Sequence, residues 1–180
     1  MGGRAGGGVG LGSGSRGGLQ RSLSRFEKAY QGSSVENVAI FDEKGNQLFY
    51  HTDNARNYVR YNGAIAKDNI HVHNHTNNTS FSPDDLVGMV KNNMKESRVT
   101  TPSFNYSIKR PKNGWGTTAK KVESVAMDKA FGLKLQMNRY VARYKGDKKV
   151  AIGRAERTFA HLLTKQVSKE FGWSYTKSKS

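Results

Sequence analysis

The stretch that most restricts this chain is His71-Val72-His73-Asn74-His75, followed closely by Ser82-Pro83-Asp84-Asp85-Leu86. Three of the five histidines fall at alternate positions there. Residues two apart on a strand share a face, so a strand over 70–75 points all three imidazoles the same way. Ile70 and Val72 then face the other side, toward a core. Ser82 reads as a helix N-cap, Pro83 as the first helical residue and Asp85 as the N3 acid of a capping box. A strand, a short polar loop and a helix N-terminus thus bring His73, His75 and Asp85 together. Two neutral imidazoles and a carboxylate suit zinc, with a fourth position left for water. His71 is the spare member, read as a surface residue, with an outer supporting group or a substitute ligand as the alternatives.

The chain has no cysteine, so disulfides and thiolate metal sites are excluded, and any metal rests on His and carboxylate. Upstream, Val35 to Asp42 reads as a strand, Glu43-Lys44-Gly45-Asn46 as a hairpin turn, and Gln47 to His51 as the returning strand. Glu36 shares a face with Val38 and Ile40. A carboxylate on an apolar face is costly without a partner or a task. Beside a zinc site Glu36 is placed to accept a proton from water. The alternative is a solvated residue at a frayed strand end. Asp42 and Glu43 belong to the turn and are weaker candidates.

The pattern resembles the JAB/MPN metallo-isopeptidase motif: His-x-His, a gap, then Ser-x-x-Asp, with a Glu far upstream. Here it is carried by His73-Asn74-His75 and Ser82-Pro83-Asp84-Asp85. The resemblance implies zinc held by His73, His75 and Asp85, Glu36 as general base, and Ser82 helping to stabilise an oxyanion. The wording His-Asn-His…Phe-Ser-Pro-Asp-Asp-Leu is closest to a JAB-like subgroup of phage and mobile-element proteins found near head-morphogenesis genes. Two positions depart from the family pattern. Thr76 stands where Pro is usual, and the gap Thr76 to Phe81 is one residue shorter than in the well-studied peptidases.

A chain of 180 residues suits one compact domain with tails. Residues 1–18, ten of them glycine, read as a disordered basic arm. Leu19, Leu23, Phe26 and Tyr30 predict an amphipathic helix within 19–32. Residues 33–110 form the core that the resemblance covers. Within it, Asn57 to Tyr61 reads as a short strand, a helix runs from Ser82 to about Met94, and Ser103 to Lys109 alternates as a strand. Residues 111–175 read as a basic helical region packed on the core, and 176–180 as a tail. Its helices span Lys120 to Tyr144, bent or interrupted at Gly132, and Ala155 to Phe171. Trp115 is read as a core residue and His161 as structural. The expected class is α+β: a JAB/MPN-like mixed sheet with packed helices and a C-terminal helical extension.

Net charge is +16, and residues 109–180 hold 18 of the 30 Lys/Arg against 5 of the 14 Asp/Glu. Such a field attracts polyanions or simply keeps helix faces solvated. Lys145, Lys148 and Lys149, in an expected loop, are the candidate nucleic-acid contacts. No apolar run reaches membrane-spanning length and no secretory leader is evident, so a cytoplasmic location, including association with a virion, is expected. Three functions remain open. The first is a zinc-dependent hydrolase of amide or isopeptide bonds with a protein or peptide substrate. The second is a non-catalytic phage head or accessory protein on the same scaffold, touching nucleic acid or acidic virion partners. The third is a metal-dependent nuclease, which the charge favours and no nuclease motif supports.

Overall fold

A computed structural model describes residues 16–180. Its helices are α1 (Arg16–Tyr30), α2 (Gly63–Ala66), α3 (Pro83–Lys91), α4 (Ala119–Arg143) and α5 (Lys148–Phe171). Its strands are β1 (Val38–Phe41), β2 (Gln47–His51), β3 (Ile70–Asn74), β4 (Glu96–Thr100), β5 (Phe104–Lys109) and β6 (Ser174–Lys179). The strands form one mixed sheet in the order β2-β1-β3-β4-β5-β6. Only β3 and β4 run parallel, joined across by α3. The class is therefore α+β, as expected.

The sheet is covered on both faces, and the period-2 alternation of β1 and β3 decides what goes where. Ala39, Phe41, Ile70 and Val72 bury one face beneath Leu23 and Phe26 of α1. Ile40, Val99, Tyr106 and Ile108 bury the other beneath α3, α4 and α5. Ile70 and Val72 thus lie opposite the imidazoles, which share the α3 side. The second face also carries Trp115, whose ring meets Trp173 edge-on at 4.9 Å.

Several elements differ from the sequence expectation. The expected arm over 1–18 lies outside the described residues except for 16–18, which form the first turn of α1. The N-terminal half of α1 docks on the β1–β2 hairpin, where the Ser22 hydroxyl donates to the Gly45 carbonyl at 2.8 Å. Asn57 to Tyr61 is not a strand; no ladder reaches it, and Arg60 is instead bound to Asp53. The polar segment Glu96 to Thr100 is a central strand that apolar periodicity does not reveal. Its charges are satisfied in the interior, because Arg98 donates to Glu27 of α1 at 2.6 Å and to Glu96 at 2.7 Å.

At the other end, α3 stops at Lys91 rather than near Met94, and Met89 joins Leu86 in its buried stripe. Gly132 does not interrupt α4, which runs unbroken through it; packing against α5 and α3 outweighs glycine's cost of about 1 kcal/mol in a helix. Helix α5 begins a full two turns earlier than expected, with Asp147 as N-cap accepting from Lys149 N–H at 2.8 Å. The expected tail is β6. Gly172, at φ 68°, reverses the chain, and residues 174–179 pair antiparallel with β5. Tyr175 stacks on Tyr106 and bonds His161 at 2.8 Å, so His161 is structural, as read.

Candidate metal centre

The cleft above β3 is built from two elements that sequence had already paired. His73 sits on β3 and His75 one residue past its end, held there by its N–H to the Thr100 carbonyl at 3.0 Å. The loop 76–81 then delivers Ser82, whose capping box starts α3 with Asp85 at N3. His73 Nε2 lies 3.0 Å from His75 Nε2, 3.2 Å from Asp85 Oδ1, and His75 Nε2 lies 3.3 Å from Asp85 Oδ2. The three donor atoms lie within 4.8 Å of one another.

The surroundings aim these atoms. His75 Nδ1 faces the carbonyls of Thr79 and Ser80 at 3.2 and 3.1 Å, so Nδ1 carries a proton and Nε2 is turned to the cleft. The Ser82 N–H and hydroxyl both donate to Asp85 Oδ2 at 2.7 Å, and Ser82 Oγ accepts from Asp85 N–H at 3.1 Å. Burial alone would push the Asp85 carboxyl up, yet the His73 and His75 imidazoles hold it well below its ordinary value. Burial likewise disfavours the His75 imidazolium, but the Asp85 hydrogen bond and charge, helped by Glu36, raise its pKa. Two imidazole nitrogens and a carboxylate this close together could hold a metal ion.

Glu36 lines the same cleft and is 8% exposed. It lies two residues before β1 rather than on a strand, because its N–H goes to Ala55 O and its carbonyl accepts from the Thr52 hydroxyl. Desolvation raises its pKa against the pull of His75 and His73, with Asp85 adding to the rise. Of the two alternatives for Glu36, the geometry gives the buried residue facing the histidines, not the solvated strand end. Asp42 and Glu43 are in the hairpin turn and do not line the cleft.

The chain matches no protein-family model, no curated protein and no solved structure.

His71 departs from its reading as a surface residue: it is 3% exposed, with its ring 4.6 Å from Tyr61 and 5.0 Å from His73. The segment that carries Tyr61 covers it, and burial, reinforced by His73, pulls its pKa down to about 3. His71 is therefore neutral and stands behind the metal-type group, outside it.

One cleft residue and one buried residue that supports the cleft are absent from the sequence reading. Tyr61 enters from the segment 52–62 and lines the cleft, its hydroxyl accepting from Asn92 at 3.3 Å. Asn74, wholly buried between the two histidines, ties β3 to the chain around Glu36. An aromatic expected on a strand and an amide flanked by histidines carry no local signal for these roles. Of the three lysines proposed for nucleic acid, Lys148 caps α4, donating to the carbonyls of Val141, Ala142 and Tyr144. Lys145 and Lys149 are exposed.

Proposed function

We propose that this chain is a zinc-dependent hydrolase of amide or isopeptide bonds, with His73, His75 and Asp85 as the metal ligands on a JAB/MPN-like scaffold. One observation carries the reading: three convergent donor atoms and a buried, partnerless carboxylate, Glu36, share one cleft of about 340 Å³. Zinc bound at such a set polarises a carbonyl and makes a nearby water a nucleophile near neutral pH.

The chain's own residues supply the rest. Glu36, its pKa raised toward the working range of a general base, takes a proton from the attacking water. It then returns that proton to the departing amine, so the C–N bond breaks with no net change in Glu36. Asp85 is held in place by Ser82, whose hydroxyl hydrogen is directed to Oδ2. Ser82 is therefore a positioning residue first, and its family role toward an oxyanion requires that this hydrogen bond be exchanged. Tyr61 lines the cleft, but its hydroxyl sits further along α3, where it accepts from the Asn92 amide at 3.3 Å.

The test is metal analysis of the full chain supplied with zinc, together with cleavage of a quenched peptide pool and a lysine-branched isopeptide. About one zinc per chain is expected, lost in His73→Ala, His75→Ala and Asp85→Ala and kept in His71→Ala. Glu36→Gln should keep zinc while turnover falls by about 10²–10⁴-fold. Failure to bind zinc overturns the proposal. Zinc without turnover assigns the site to a non-catalytic scaffold protein instead.

A further inference from the structure

A second concavity, of about 790 Å³, lies between the α4–α5 hairpin and the β5–β6 end of the sheet. Its floor is apolar, with Leu133, Met137 and Tyr140 from α4 and Phe159 and Leu162 from α5. Arg154, Arg157 and Lys177 stand around it, and no carboxylate lines it. None of the three cations has an acidic partner among the described residues. An apolar floor with uncompensated cations calls for a ligand carrying an apolar group beside negative charge.

Two of the aromatic rings in the groove are already engaged within the protein. Bases are gripped by open aromatic faces. Here Tyr106 stacks on Tyr175, and Lys177 Nζ lies over the Phe104 ring at 3.8 Å. Leu133, Met137 and Leu162 lie open beside Phe159 and Tyr140, a mixed apolar surface that suits a Leu, Met or Phe side chain flanked by carboxylates.

The groove also adjoins the metal cleft. Asn78 lines the groove while Asn77 and Thr79 line the cleft, so one loop is a wall of both. That loop is fixed to α5, where Ser80 Oγ meets Thr164 Oγ1 at 3.2 Å. Asn78 is in turn held by Ser103, to which its Nδ2 donates at 2.9 Å.

We infer that this groove recognises an acidic, apolar polypeptide segment, the part of a protein substrate lying away from the bond being cut. Recognition stands on the groove alone; the substrate role rests on the hydrolase reading above. A segment threading past the loop would occupy cleft and groove together, and the groove would then choose among amide bonds that the cleft treats alike.

The experiment pans a random twelve-residue peptide library on the full chain and measures binding of the selected peptides by anisotropy. The variant carries Arg157→Glu and Lys177→Glu, both at exposed positions, and a thermal melt verifies its fold. Selection of Leu, Met or Phe flanked by Asp or Glu is expected, with binding at least tenfold weaker in the variant. Binding should be unchanged by a chelator, so it survives even if the zinc reading fails. Joined to a cleavable bond, a selected segment should lower KM in the native chain and leave kcat unchanged. No acidic–apolar selection, or equal binding to the variant, overturns the inference. Binding of oligothymidylate that is lost in the same variant also overturns it, and gives the groove to single-stranded nucleic acid.

Discussion

Asn74 brackets Glu36. Its side-chain oxygen accepts the Asn37 N–H at 2.8 Å and its amide donates to the Val35 carbonyl at 3.0 Å, one residue to each side of the carboxylate. Because Asn74 also stands between His73 and His75, one buried amide fixes the distance from proposed base to proposed ligands. A third hydrogen bond, from the Asn37 side-chain amide to Asn74 Oδ1 at 3.2 Å, completes the clamp.

Asn74→Ala should therefore separate positioning from metal binding. Leaving the Asn37 N–H unpaired in a buried site should cost about 1–3 kcal/mol, read as a lower urea midpoint, while the Val35 carbonyl keeps the Ser33 hydroxyl and the Asn37 amide. Strand β3 keeps its ladders to β1 and β4, so zinc content should hold. Turnover should fall at least tenfold, with kcat affected more than KM. Equal loss of zinc and turnover would reduce Asn74 to a purely structural residue.

Ser82→Ala removes both the helix cap and the hydroxyl that aims Asp85 Oδ2. A lost N-cap costs about 1 kcal/mol. Losing a group that orients a metal ligand typically costs about 10–100-fold in metal affinity. Both effects should appear together, the first in thermal melts of chelated protein and the second in zinc competition titrations. Ser82→Thr, which keeps the hydroxyl, should restore most of each. Weakened stability with unchanged zinc affinity would confine Ser82 to capping.

The parts of the site that were legible in the sequence are those encoded by short-range rules. Alternation placed His73 and His75 on one face, and cap chemistry placed Asp85 at the start of α3. Glu36 was legible as an anomaly, an acid beside an apolar strand, though not in its position before that strand. What sequence left unread depends on contacts between distant residues. Strand β4 looks polar because Arg98 finds Glu27, which lies 71 residues away. Strand β6 looks like a tail because only Tyr175 marks its buried side, and the partner it needs is β5. His71 looks exposed until the segment bearing Tyr61 closes over it.

The β1–β2 hairpin offers a test of stability that is independent of the metal. Asp42 Oδ1 accepts from the N–H groups of Lys44 and Asn46 at 2.8 and 2.9 Å, and Oδ2 accepts from the Asn46 amide at 2.7 Å. The turn so fixed puts Gly45 at φ 91°, where a Cβ would lie 2.6 Å from the Leu19 nitrogen of α1. The carboxylate thus shapes the seat on which α1 docks. Slight burial raises its pKa, but the hydrogen bonds from Asn46, Lys44 and Gly45 outweigh that and lower it below 3.8. A pKa lowered by folding means stabilisation that is complete above the unfolded value and lost as pH falls through the folded one. Asp42→Asn should cost about 1 kcal/mol at pH 7, where a charged acceptor is replaced by a neutral amide. The gap between the native chain and the variant should narrow steadily below about pH 4, where the native carboxylate takes up its proton. Urea unfolding of chelated protein at pH 7 and pH 3 measures it. An equal gap at both values would mean that the turn depends on the shape of Asp42 and not on its charge.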